Sequence, residues 1–172
     1  MTISFERANV IAVAIIPLAL AIAAAHMAIW GWPSLRDGAA AVFQPLFFLP
    51  ALLLSIVVHE ALHAVGFLVV GRAPREAVHF GIHRKTLSPF AGCRAPLGAR
   101  AYRWAVLLPG IALGFAPAVV GLAAGVGWVT IWGAFMVLTA GGDFAALWAM
   151  RSVRGHERVL DHPERVGCRV VA

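Results

Sequence analysis

Residues 42–70 read VFQPLFFLPALLLSIVVHEALHAVGFLVV. A helix needs about 20 apolar residues to cross the roughly 30 Å of hydrocarbon in a bilayer, and this stretch is long enough. Its interior nevertheless holds three ionisable side chains, His59, Glu60 and His63. Such groups are costly inside a lipid-spanning helix unless they pair with one another or grip an ion. Residues four apart on an α-helix share a face, so the imidazoles of His59 and His63 can both reach one cation. The Glu60 carboxylate, next to the first of them, is then placed to hold an attacking water.

The remainder of the chain fits a membrane setting. Of its 172 residues 61% are hydrophobic and 13% charged, against about 45–50% and about 25% in soluble domains. That balance excludes an ordinary soluble globule, a disordered tail and a disulfide scaffold. Three more stretches, at about 10–30, 104–124 and 128–150, are apolar enough to span. The first is longer than the 7–15 apolar residues of a signal peptide and is led only by Arg7 beside Glu6. It therefore reads as a retained anchor. The expected fold is an all-α integral membrane protein of one domain, with four transmembrane helices and a short β-hairpin between the second and third.

Fourteen Lys and Arg stand against eight Asp and Glu, a net charge of +6. With the N-terminus inside, Arg7, the 72–103 loop and the 151–172 tail hold thirteen of the fourteen basic residues, leaving only Arg36 outside. This bias sets the orientation, with both termini cytoplasmic. No basic stripe is interleaved with aromatic residues, which excludes a nucleic-acid partner; the lipid bilayer is the expected partner, and the basic tail reads as a contact for anionic lipid. Within the loop, 77–82 and 87–93 read as the two strands of the hairpin, turning at Arg84-Lys85-Thr86, although Pro89 and Gly92 suit a strand poorly. Pro109 and Pro117 predict a kinked third helix whose freed carbonyls need partners. Gly110 and Gly114 form a small-x-x-x-small pair suited to close helix packing. Cys93 and Cys168 lack metal-type spacing and read as reduced structural thiols.

His59-Glu60-x-x-His63 is the pattern in which a helix offers two histidines to zinc and a glutamate as general base. A catalytic zinc takes three protein ligands and a water, and depth selects the third. At 1.5 Å per residue, His59 and His63 lie roughly 18 and 12 Å from the cytoplasmic end of their helix, and Asp143 roughly 10 Å from the same end of the fourth. His26 lies some 24 Å away near the outer end of the first helix and does not fit. Asp143 is also the sole acid in the spans besides Glu60, and Gly141 and Gly142 before it permit close approach. The competing account of Asp143 is a buried carboxylate paired with a loop arginine. His79 and His83, also four apart, sit in strand-like surroundings and read as site-lining or loop residues in preference to ligands.

These elements resemble the putative zincin peptidase family of small bacterial membrane proteins, which is similar in its core to the site-2 protease group of intramembrane metalloproteases. The matching residues are His59-Glu60-x-x-His63, Gly141-Gly142-Asp143, Ser88-Pro89-Phe90-Ala91-Gly92-Cys93, Pro109-Gly110 and Asp161-His162-Pro163. The resemblance implies Zn2+ held by His59, His63 and Asp143, Glu60 as base, a membrane protein or peptide substrate, and a bacterial inner-membrane location. It implies a metalloendopeptidase whose second to fourth spans form the catalytic core. Two departures stand out. Site-2 proteases place their Asp before a Gly, whereas here the Gly pair precedes it. Asn9 is the only Asn, so no amide side chain lies near the site to stabilise an oxyanion. A non-catalytic zinc-binding scaffold or sensor is the rival expectation. A metal transporter ranks last, because little beyond His26 marks a polar path to the outside.

Overall fold

The computed structural model describes residues 1–83, 88–162 and 165–171. β1 (Thr2–Ile3) leads into α1 (Phe5–Val13), where the Ser4 hydroxyl caps the first turn by accepting from the Arg7 N–H. α2 (Ile16–Val42) then runs well past the expected end near residue 30. Gly31, at φ 84° and ψ 162°, folds it into two rods, a conformation that residues with a Cβ rarely adopt. The 31–41 segment is therefore helix and not an outer loop.

α3 (Pro45–Val65) begins with proline at its first position, where a missing N–H costs nothing, and continues through a π-helical turn at Gly66–Val70. Leu46, Leu53, Leu54 and Val57 stay exposed along it, as expected of a lipid-facing surface. β2 (Val78–His83) and β3 (Ser88–Cys93) form an antiparallel hairpin with Val78 opposite Cys93 and Ile82 opposite Pro89. Its expected turn at 84–86 lies outside the described residues. The Arg94 N–H donates to the Ala77 carbonyl at the base of the hairpin. The alternation of the ladder then turns the backbone of Pro89, Ala91 and Cys93 outward. Pro89 thus occupies an edge position that needs no donor, which reconciles it with the strand.

β4 (Leu97–Gly98) precedes α4 (Ala99–Pro109), a π-helical turn at Gly110–Phe115 and α5 (Ala116–Ala124). About 20 residues separate Trp104, which is exposed, from the turn at Gly125, roughly the 30 Å of a hydrocarbon core. Three segments are long and apolar enough to cross a membrane: Glu6–Val42, Pro45–Val70 and Ala99–Ala124. The expected fourth span is not one straight rod. It consists of α6 (Gly127–Thr139) and α7 (Gly141–Ala149), bent by 43°. The Thr139 hydroxyl donates to the Met136 carbonyl at 2.8 Å, a back-bond that bends helices, just where the break falls. Gly114 presses against the backbone of Val137, in keeping with the packing role expected of it.

The segment after α7 is not a free tail. β5 (Arg158–Asp161) and β6 (Val166–Val171) pair antiparallel and complete a four-stranded sheet in the order β1-β6-β5-β4. The chain is therefore mostly helical with two small antiparallel sheets, not all-α. The sheet forms because Val159 and Cys168 can be buried against Phe67, Tyr102, Val106 and Met150, while the intervening arginines stay in solvent. Cys93 and Cys168 are free thiols fully enclosed in that core.

Asp161 ends β5 against this core. It accepts hydrogen bonds from the Tyr102 hydroxyl at 2.9 Å and from its neighbour's N–H at 3.1 Å. Burial nevertheless pushes its carboxyl above the ordinary aspartate range, outweighing those bonds. The folded state therefore holds a proton that the unfolded state has released, and stability falls as pH rises through that interval. Thermal melts of the protein and of Asp161→Asn from mildly acidic to neutral pH should diverge in the variant's favour as pH rises; a pH-independent difference would exclude this coupling.

Candidate metal centre

α3 delivers two imidazoles and α7 a carboxylate to one point. His59 Nε2 lies 3.1 Å from Asp143 Oδ2 and His63 Nε2 lies 3.2 Å from Asp143 Oδ1. The ligand atoms of the three residues all fall within 4.8 Å of one another. A tetrahedral ion with ligands at about 2.0–2.1 Å separates them by about 3.3 Å, close to the spacing present. Asp143 Oδ2 is buried without a hydrogen bond of proper geometry, and a cation would satisfy it. The donor set of two imidazoles and one carboxylate suits a borderline-soft divalent metal. Among the described residues Asp143 pairs with the two histidines and with no loop arginine.

The second ring nitrogen of His63 shows how the site is oriented. Its Nδ1 lies 3.0 Å from the Ala105 carbonyl. A carbonyl only accepts, so Nδ1 bears the proton and the Nε2 lone pair is left facing Asp143. The carbonyl is available because Pro109, four residues further on, has no N–H to return to it. Gly66 brings α3 close enough: a Cβ there would stand 2.6 Å from the Ala105 Cα. Asp143 owes its aim to the bend at Ala140, whose carbonyl receives the Asp143 N–H at the start of α7.

Glu60 points to the hairpin. Its Oε2 accepts the Ala91 N–H of β3 at 2.6 Å. Glu60, His63 and Asp143 border a cavity of about 500 Å3 that extends past His79 and Phe90 to Asp161 and the edge of β6, a volume within the range of ligand pockets. Gly142 meets nothing within 4 Å on the side a Cβ would occupy. His79 lines this space with a buried Nδ1 lacking a hydrogen-bond partner, and it is outside the metal group. The side chain of His83 lies outside the described residues. His26 is fully buried and tied to Ser34 at 3.0 Å and Thr130 at 2.9 Å, a satisfied core histidine far from the triad. The Ala91 amide and the Tyr102 hydroxyl were not foreseen. Asp161 was marked only by the Asp161-His162-Pro163 resemblance, and the Ala105 carbonyl only by Pro109, which shows which carbonyl loses its helical donor.

A helix-borne pair of histidines with an intervening glutamate, completed by a carboxylate from another helix, defines a metal-hydrolase type of centre. The chain belongs to the family described as Putative zincin peptidase, which matches residues 52–156 and so takes in His59, Glu60, His63 and Asp143. No curated protein and no solved structure matches it.

Replacing Pro109 tests the orientation of His63. Pro109→Ala returns an N–H that competes for the Ala105 carbonyl, and loss of such an outer contact weakens metal binding by about 10–100-fold. A chelator-competition titration should show this with the helical content unchanged; an unaltered affinity would show that the carbonyl does not orient the ring.

Proposed function

We propose that the protein is a zinc-dependent peptidase that cleaves polypeptides within or next to the membrane, with His59, His63 and Asp143 as ligands and Glu60 as general base. The observation that carries it is the convergence of both Nε2 atoms on the Asp143 carboxylate, beside a second carboxylate with access to a cavity. Zinc held there supplies a Lewis acid for the scissile carbonyl and lowers the pKa of a bound water towards about 7. Glu60 takes the proton of the attacking water and passes it to the leaving amine. To do so its carboxylate exchanges the Ala91 N–H for water.

The released Ala91 N–H lies on the outward edge of β3, where an extended segment of substrate can pair with the backbone. Such pairing answers a problem specific to membrane substrates, because a helical segment hides its peptide bonds until it is drawn out into a strand. The site lies towards the end of the bundle that the basic loops place in the cytoplasm, so water has the shorter path from that side. The fold would then sit as four spans, with α6 and α7 as one broken crossing, in a bacterial inner membrane. Its core would be similar to that of site-2 proteases.

Two measurements test the assignment. Elemental analysis of the purified protein should find about one zinc per chain, and Asp143→Ala should lose it. Glu60→Gln should keep the metal while cleavage of membrane peptides falls by about 10²–10⁴-fold, the usual contribution of a positioned base. Zinc without cleavage in the parent protein would leave a non-catalytic metal-binding scaffold. A proline at position 81 of β2, which faces Phe90 in a hydrogen-bonded pair of the ladder, should weaken cleavage without removing zinc; cleavage that persists unchanged would rule the hairpin out as a substrate platform.

A further inference from the structure

The part of the cavity remote from the metal ligands is bordered by arginines. Arg94 follows β3, Arg165 precedes β6 and Arg169 lies within it, and all three line the same cavity as Glu60 and Asp143. Several other arginine side chains are committed to the structure: Arg103 donates to the Met150 and Val153 carbonyls, Arg158 to the Pro96 carbonyl, and Arg36 pairs with Asp37. The guanidiniums of Arg94, Arg165 and Arg169 have no such partner among the described residues, and all three residues are exposed. The acids of the cavity do not neutralise them, because each is engaged elsewhere. Asp143 faces the histidines, Glu60 accepts the Ala91 N–H, and Asp161 accepts the Tyr102 hydroxyl.

We propose that Arg94, Arg165 and Arg169 form a subsite for carboxylate side chains, so that the protein selects polypeptides bearing an Asp- or Glu-rich flank beside the cleaved bond, an assignment that rests on the peptidase function proposed above. The planar guanidinium fork matches a carboxylate with two parallel hydrogen bonds. Exclusion contributes as much as attraction. Most membrane spans end in Lys and Arg on the cytoplasmic side, and such flanks meet three like charges at the cavity mouth. An acidic flank is the exception that enters favourably.

The experiment uses zinc-loaded full-length Glu60→Gln protein in zwitterionic lipid, so that binding is read without turnover. Two fluorescent peptides share one transmembrane span and differ in the flank, rich in Asp and Glu in one and in Asn and Gln in the other. At low salt the acidic peptide should bind about tenfold more tightly, with the gap closing at high salt as exposed pairs are screened. The preference should vanish in the Arg94→Gln/Arg165→Gln/Arg169→Gln variant. It should shift to a Lys-flanked peptide in Arg94→Glu/Arg165→Glu, a gain that a misfolded variant would not show. Equal affinity for the two peptides, or a preference that survives the triple substitution, overturns the subsite. So does a triple variant that only loses adhesion to phosphatidylglycerol vesicles while its peptide preference is intact, since the arginines then serve the bilayer. If the preference holds but zinc-loaded parent protein cleaves neither peptide, the subsite stands and the peptidase assignment falls. Cleavage of both at equal kcat/KM, with equal binding, gives the reverse.

Discussion

A carboxylate withdrawn from water into an apolar bundle must be matched by something, and in this chain two imidazole nitrogens stand at 3.1 and 3.2 Å from it, spaced to share a cation with it. Most of the surrounding architecture serves that encounter. Removing a carboxylate from water costs several kcal/mol even after relaxation, so the helices that bring Asp143 to His59 and His63 must be held against that cost. The closeness of α3 to α4 at Gly66 and the apolar core around Phe67 and Tyr102 supply the support on one side. The packing of α1 against Gly141 supplies it on the other, where a Cβ would come within 2.6 Å of Ala12.

Departures from regular helix do much of the positioning. Within a membrane, irregular backbone is tolerated where neighbouring groups satisfy what the ladder has lost. Pro109 releases a carbonyl and His63 takes it. Thr139 back-bonds to Met136 and the rod breaks, which aims Asp143. The π-helical turns at Gly66–Val70 and Gly110–Phe115 fall directly after His63 and Pro109, flanking the site from both helices. A straight four-helix bundle of the same composition would leave the carboxylate and the imidazoles on separate rods with no common focus.

The His59-Glu60-x-x-His63 spacing was legible because helical periodicity alone puts two side chains on one face, and depth was enough to bring Asp143 to the same level. The hairpin was legible from β-rich runs on either side of a basic turn. The second sheet was not, because short strands such as Arg158–Asp161 alternate arginine with apolar residues, and the same arginines read as a solvated or lipid-binding tail. The continuation of α2 past residue 30 was hidden for a related reason: Gly31 and Pro33 are breakers in a sequence, yet here one makes a bend and the other sits just inside the next rod. Bonds made by backbone atoms, such as that from the Ala91 N–H to Glu60, leave no mark in the identity of the residue that makes them.

β1 lies beside β6, with Thr2 opposite Gly167 and the amino group of Met1 donating to the Cys168 carbonyl across 167 positions. Pairings so distant in the chain are the last to form, because the intervening loop must close before they repay it. β6 must therefore be made before β1 can dock, although the helices bearing the ligands emerge well before. The order of synthesis thus works as a timer, keeping the cavity wall that β6 provides incomplete until that strand has emerged.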